Sequence, residues 1–244
     1  MHMKKVLYVL PLVFILFFLV YYLTPSYLSE LDTIFISITI FLFATLVGFF
    51  IARQATRYGQ IVSKVTDFDG NMSFLYRSIG VFGEKSQVEF AEILQKHYSA
   101  ITAHGDWDFY FSHKTTTLTD INHLIVKYTE TGELNPAQNA FASRAFFGLG
   151  EMQKLRKNLI ALYKEKIPHF QWLLVIFLTL ILILTVSSIP SYGALFASII
   201  KAAFATSVVS VVIMLWKLNR LTFFEEIVGQ SSAQDVLDII AGTK

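Results

Sequence analysis

The sequence predicts an all-α membrane protein, with four transmembrane helices in two hairpins flanking a helical cytosolic domain. Three observations predict it. The 244-residue chain is 54% hydrophobic and 16% charged, with a mean hydropathy of +0.54, whereas a soluble domain carries about 25% charged residues. The missing charge is concentrated in four blocks, 6–23, 33–52, 170–187 and 194–216, which contain Lys201 and no other Lys, Arg, Asp or Glu. Each is near the roughly 20 residues that a helix needs to cross a bilayer. Between the second and third blocks, apolar residues recur at helical spacing and the period-two runs of a strand are missing. The predicted domains are 1–52, a first transmembrane hairpin; 53–169, a helical cytosolic domain; 170–216, a second transmembrane hairpin; and 217–244, a cytosolic tail with a short amphipathic helix.

The first block follows the basic head Met1–Lys5. Its apolar run is too long for a secretory signal, and Thr24-Pro25-Ser26 follows it instead of a small-residue cleavage site. An uncleaved first membrane helix is therefore expected. Pro11 removes a backbone donor inside it, and Tyr21 and Tyr22 suit the far interface. The loop Thr24 to Asp32 contains no Lys or Arg. The second block then runs into Arg53 and Arg57 without a proline, which predicts one helix leaving the bilayer for the cytosol. Ala44, Gly48 and Ala52 fall four apart and give it a smooth face for close helix packing. Around that face stand Phe35, Phe41, Phe43, Phe49 and Phe50. Two readings stand: a packing seam within a lipid-facing aromatic surface, or a helix that lines a pore.

The central block holds 14 of the 20 Lys and Arg residues. Asp67-Phe68-Asp69-Gly70-Asn71 predicts a break of the Asx-turn kind. It begins like a calcium loop, but the later ligands and closing Glu are missing. Ser86-Gln87-Val88-Glu89 reads as a capping box, followed by Phe90, Leu94, His97, Tyr98 and Ile101 at helical spacing. Gly105-Asp106-Trp107-Asp108 ends that helix, and another is expected over Thr117 to Thr131. Asn135-Pro136 opens a long helix toward Lys166, with Phe141, Ala145, Leu149, Met152, Leu155, Leu159 and Leu162 along one face. Pro168 and Trp172 introduce the third membrane block. Ser188 to Gly193 makes a tight turn, and the fourth block carries a ladder of small residues, Ala194, Ser198, Ala202, Thr206 and Ser210, suited to helix packing. After Glu225 and Glu226, Ser231 or Ser232 caps a tail helix whose apolar side is Val236, Leu237, Ile239 and Ile240.

Orientation follows from charge. Lys and Arg number two before the first block, 14 in the central block and three after the fourth, while neither predicted outer loop has any. The positive-inside rule then places both termini and the central block in the cytosol.

The chemistry is sparse. With no cysteine there is no disulfide, thiolate metal site or Cys nucleophile. No Gly-rich phosphate loop, His-Glu-x-x-His or Gly-x-Ser-x-Gly occurs. A net charge of +2 is too small to point to nucleic acid. The expectation is no enzyme, no cofactor, no metal site and no nucleic-acid partner. His97 and His104 share a helix face near Asp106, Asp108 and His113, and read as scattered polar residues. Arg77 reads as a domain salt-bridge or packing residue. Arg53, Arg57, Lys154, Arg156 and Lys157 sit where a cytosolic flank meets lipid headgroups or the rest of its domain. Lys201 lies about two helical turns inside the fourth block. It either snorkels or contacts another helix, or it lines an aqueous path and favours anions.

A set of short motifs is spread over the chain: Arg57-Tyr58, Leu75-Tyr76-Arg77, Trp107, Arg156, Pro168 with Trp172, Leu218-Asn219-Arg220 through Phe224, and Ser231 to Ile240 with Val236-Leu237. With these residues and its layout the whole chain resembles the bacterial bestrophin-like membrane proteins of unknown function. The resemblance implies a multi-pass protein of the bacterial inner (plasma) membrane, and by extension from bestrophins proper a homo-oligomeric ion channel-like pore. Its hydrophobic neck would be lined by the second helix, from among Ile36, Ile40, Phe43 and Val47, with small ions and the lipid bilayer as partners. The second block lacks a proline and no acidic run follows the fourth beyond Glu225-Glu226, so calcium gating is not carried over. The other reading is a non-conducting membrane protein whose helical cytosolic domain binds a partner or senses a signal.

Overall fold

The computed structural model describes residues 3–23, 33–104, 115–130, 132–189, 195–222 and 231–243. The loop 24–32, the Gly105–Asp108 break with Trp107, the turn after Ile189, Ala194, Phe224 and the pair Glu225-Glu226 lie outside the described residues. Among the described residues every regular element is helical. They are α1 (Met3–Leu23), α2 (Thr33–Ser78) running into a 3₁₀ turn (Ile79–Phe82), α3 (Glu84–His104), α4 (Thr117–Thr129), α5 (Pro136–Lys164), α6 (His169–Ser188), α7 (Leu195–Arg220) and α8 (Ser231–Ile240). The expected long helices in the central block and the absence of strand from the described part of it are both found.

Among the described residues three helices are long and apolar enough to cross a membrane: the one that begins at Ile34, His169–Ser188 and Leu195–Arg220. The apolar part described in α1, Pro11–Leu23, is shorter. By contact the chain divides into two compact units, Met1–Thr56 with Lys166–Phe223, and Arg57–Glu165 with Phe224–Lys244. They are called here the apolar unit and the helical unit.

In the apolar unit, α1 and α6 both pack on α7. One cluster joins Phe43, Val47 and Phe50 of α2 to Val175 and Leu182 of α6 and Val208 and Leu215 of α7. A second joins Tyr21 of α1 to Ala202 and Ala205 of α7. At the foot of α7 the Asn219 side-chain oxygen accepts the backbone N–H of Ile167 at 2.8 Å. The Arg220 guanidinium lies 4.3 Å from the centre of the Trp216 ring. Pro168, at the N-cap of α6, accepts the N–H groups of both Gln171 and Trp172 on its one carbonyl oxygen.

The helical unit has one continuous core. Met72 and Leu75 of α2, Phe90, Leu94 and Tyr98 of α3, Ile121 and Ile125 of α4, and Phe141, Leu149 and Met152 of α5 are buried together, with Ala233 and Val236 of α8. The cap at Asn135 is a full capping box: the Asn135 side chain accepts Gln138 N–H at 2.9 Å, and the Gln138 side chain accepts Asn135 N–H at 3.0 Å.

Two local expectations are corrected. Asp67–Asn71 does not break the chain, because α2 runs unbroken from Thr33 to Ser78. The carboxylate of Asp69, which would have made the turn, accepts hydrogen bonds from Tyr98 and Ser232, so the competition with helical backbone is lost. Ser86 does not cap α3, which begins at Glu84. Its hydroxyl donates back to the carbonyls of Ile79 and Gly83, and Glu89 pairs with Lys127 at 2.6 Å. The start of α3 is set by Gly83 at φ 104, a conformation that glycine adopts without strain.

Candidate functional site

The helix α2 has two faces, and each keeps an 11-residue beat. Thr39, Phe50, Ile61 and Met72, eleven apart, are all buried, and Phe43 and Gln54 share their side. On the other side Ala44, Ala55 and Thr66, then Gly48, Gly59 and Gly70, then Ala52 and Ser63 are all exposed. Eleven residues make just over three turns, so each face stays on one side of the helix instead of spiralling round it. A Cβ built at Gly48, Gly59 or Gly70 would meet nothing within 4 Å. Among the described residues nothing covers the glycines of this small-residue side. The spacing Ala44, Gly48 and Ala52 captured its first three positions; the rest was readable from an 11-residue repeat.

Of the expected neck residues, Phe43 is 7% and Val47 2% exposed, both packed against α6 and α7 of the same chain. Ile36 is half-buried and Ile40 exposed. The largest exposed apolar side chain near the middle of the uncovered side is Phe41. On α7, Ser198 and Ala202 are buried, and the Ser198 hydroxyl donates to the Tyr21 carbonyl at 3.3 Å. Thr206 and Ser210 are half-buried and bond their own helix four residues back.

Lys201 is 6% exposed. Its ammonium donates to the carbonyl of Ile189, the C-cap of α6, and lies 5.9 Å from the centre of the Tyr21 ring of α1. One cation thus ties the end of α6 to α7 and α1. A helix C-terminus offers partial negative charge and unfilled carbonyls.

The basic residues divide. Arg57, 3% exposed, donates from Nε to Leu162 O at 2.6 Å and from Nη2 to Tyr163 O at 2.8 Å. It caps the C-terminus of α5 with the rigid fork that a guanidinium supplies. Arg156 is half-buried, close enough to His97 for its charge to help depress the imidazole. Arg53 and Lys157 are exposed, and Lys154 is exposed and pairs with Glu151 at 2.7 Å.

His97 and Asp69 are buried in the helical unit. His97 has its pKa lowered to about 3, first by burial and then by Arg156, and its Nδ1 lies 2.7 Å from Thr117 Oγ1. Burial raises the pKa of Asp69, while hydrogen bonds from Ser232 and Tyr98 lower it. Among the described residues no three His, Asp or Glu side chains come together to hold a metal ion; Asp106, Asp108 and His113 lie outside them. A cleft of about 360 Å³ opens between α2 and α5, lined by Asn71, Phe74, Ser143, Arg144 and Phe147.

Apolar helices long enough to cross a bilayer, joined through one unbroken helix to a charged helical unit, define an α-helical membrane protein. Residues 7–221 match the Bestrophin-like domain, and the chain belongs to that family. No curated protein and no solved structure matches the chain.

Proposed function

We propose that the chain is a four-pass membrane protein of the bacterial inner membrane, with both termini and the helical unit in the cytosol. In this reading it assembles as a homo-oligomer around α2 to form an ion channel-like path. The observation that carries this reading is the uncovered small-residue side of α2. In lipid, helices associate through close approach of small residues rather than through the hydrophobic effect, and a second copy of the chain is the simplest cover. The distribution of Lys and Arg supports the orientation.

Because Phe43 and Val47 pack within the protomer, the lining we propose shifts round the helix to Ser37, Phe41, Ala44 and Gly48, all exposed, with Ile40 on its margin; Ile36, eleven residues before Val47, falls on the packed side. A ring of Phe41 side chains would resist wetting when narrow. Lys201, buried against α6 and α1, is assigned to holding those helices.

The chain has no native cysteine, so single cysteines test the assembly directly. Gly48→Cys and Ala55→Cys are expected to cross-link between subunits in membranes, with Thr39→Cys, on the packed side, as the silent control. Phe41→Ala is expected to raise ion flux through reconstituted liposomes. Lys154→Cys is expected to react with an impermeant maleimide only after the cells are opened. Monomers that never cross-link from the small-residue side overturn the assembly. A second reading is favoured by the cleft, where exposed Phe74 and Phe147 stand beside Arg144: a non-conducting protein whose helical unit binds a partner. Cross-linked oligomers that leave liposomes ion-tight in every variant select it.

A further inference from the structure

The last helix, α8, is held on the helical unit by buried apolar side chains and by polar groups. Two of its side chains, Ala233 and Val236, are buried in the core, and Leu237 and Ile240 lie against it. Its described contacts run mainly to α3. Beyond these it is fastened by polar groups. The carboxylate of Asp69 on α2 accepts the Tyr98 hydroxyl of α3 on Oδ1 at 2.7 Å and the Ser232 hydroxyl of α8 on Oδ2. At the other end of α8 the Tyr76 hydroxyl reaches the carbonyl of Ile240 at 3.5 Å. One buried acid therefore joins three helices, and α8 supplies one of its two donors.

We propose that α8 is a releasable latch on the helical unit, closed on its own seat by the Tyr98–Asp69–Ser232 clamp. Three physical arguments carry this. A helix of ten residues does not hold its shape alone in water, so α8 exists as a helix because it is docked. The core beneath it, from Met72 through Phe90, Ile121 and Met152, is built mainly by α2 to α5, and α8 adds only Ala233 and Val236 to its buried side chains. The clamp itself is poised: burying an ionised carboxylate is costly and two hydroxyl donors offset that cost. Release removes one donor but admits water to the carboxylate, so opening costs less than the same contacts would cost around an apolar residue. Segments of this kind open locally, ahead of the unit they cover. Opening frees an amphipathic segment with Val236, Leu237, Ile239 and Ile240 on one side and bares Tyr76, Tyr98 and Asp69. The latch is independent of whether the chain conducts ions.

Amide hydrogen exchange of the full chain in detergent tests it, read over 231–240 and, as internal reference, over α4 and α5. Ser232→Ala removes one hydroxyl from a half-buried position and is expected to speed exchange of 231–240 by about tenfold, with α4 and α5 unchanged. Asp69→Ala is expected to do the same or more. Asp69→Asn offers Oδ1 to Tyr98 and an N–H to Ser232 without a charge to bury, and is expected to exchange as slowly as the wild type or slower. Unchanged exchange over 231–240 in both Ser232→Ala and Asp69→Ala overturns the proposal. So does acceleration of α4 and α5 in step with α8 in Ser232→Ala, which would make Ser232 part of the common core. Asp69→Asn opening as far as Asp69→Ala overturns the poised-carboxylate account of the clamp.

Discussion

The two units solve the packing problem differently. In the helical unit, large side chains such as Tyr98, Phe90, Met72 and Met152 are fully buried in one core. In the apolar unit, α7 presents Ala202, Ala205 and Ser198 to its neighbours, and large apolar side chains such as Leu12, Phe177 and Phe196 point outward. Beside the apolar cluster of α2, α6 and α7, it has polar fixings: Lys201 on the carbonyl of Ile189, Ser198 on the carbonyl of Tyr21 and Asn219 on the N–H of Ile167. Water drives large apolar groups together in the first unit. In lipid the surroundings are as apolar as the side chains, so the second unit gains from close approach and from hydrogen bonds that have no solvent competitor.

The largest test of this difference is a matched pair of core truncations. Phe90→Ala in the helical unit is expected to cost about 3–5 kcal/mol, since transfer and cavity costs add. Leu182→Ala in the apolar unit is expected to cost about 1–2 kcal/mol, the packing part alone. Unfolding in detergent followed by exchange in each unit checks both, and equal losses would break the comparison.

Arg57 is next. Arg57→Ala is expected to destabilise the helical unit by about 2–3 kcal/mol, because two charge-assisted bonds to the end of α5 are lost. Arg57→Lys keeps the charge but not the fork, and should recover only part of the loss. Exchange at Tyr163 to Glu165 is the sensitive reading.

Acid separates the units in a third way. The pKa of His97 is depressed to about 3 when folded, against about 6.5 when unfolded. Between these values the unfolded chain binds a proton that the folded chain does not. The stability of the helical unit should therefore fall as pH falls below about 6.5, by about 1.4 kcal/mol per pH unit at steepest. Asp69, whose folded pKa is raised, works in the opposite sense: its share of stability grows as pH falls through that value. Measuring the slope in Asp69→Asn isolates His97, and His97→Gln in that background is expected to flatten it.

The smallest effects concern single lysines. Lys201→Met loses a carbonyl bond and a ring contact and should cost the apolar unit about 1 kcal/mol in a thermal melt. Lys154→Ala, at an exposed i, i+3 pair with Glu151, should leave the melt unchanged. A Lys201→Met melt equal to wild type would show that the Lys201 contact adds nothing to the packing of small residues.

What the sequence determined by itself was whatever a few neighbouring residues decide. The apolar blocks follow from local composition. The start of α5 follows from Asn135, Pro136 and Gln138, three groups within one turn. The helical face Phe141, Ala145, Leu149, Met152, Leu155, Leu159 and Leu162 follows from spacing against water; Leu155 and Leu162 are half-buried and the other five buried. Local pattern misled where a distant partner intervened. Asp69 looked like a turn former until Tyr98 and Ser232, 29 and 163 residues away, took its carboxylate. Ser86 looked like a cap until the carbonyl of Ile79 took its hydroxyl. The side of α2 that turns inward was hidden for a different reason. In its apolar half both surroundings favour apolar side chains, so Phe41 and Phe43 look alike in sequence, although one is exposed and the other packed. Only contact with α6 and α7 distinguishes them, because there the choice is made by shape and not by polarity.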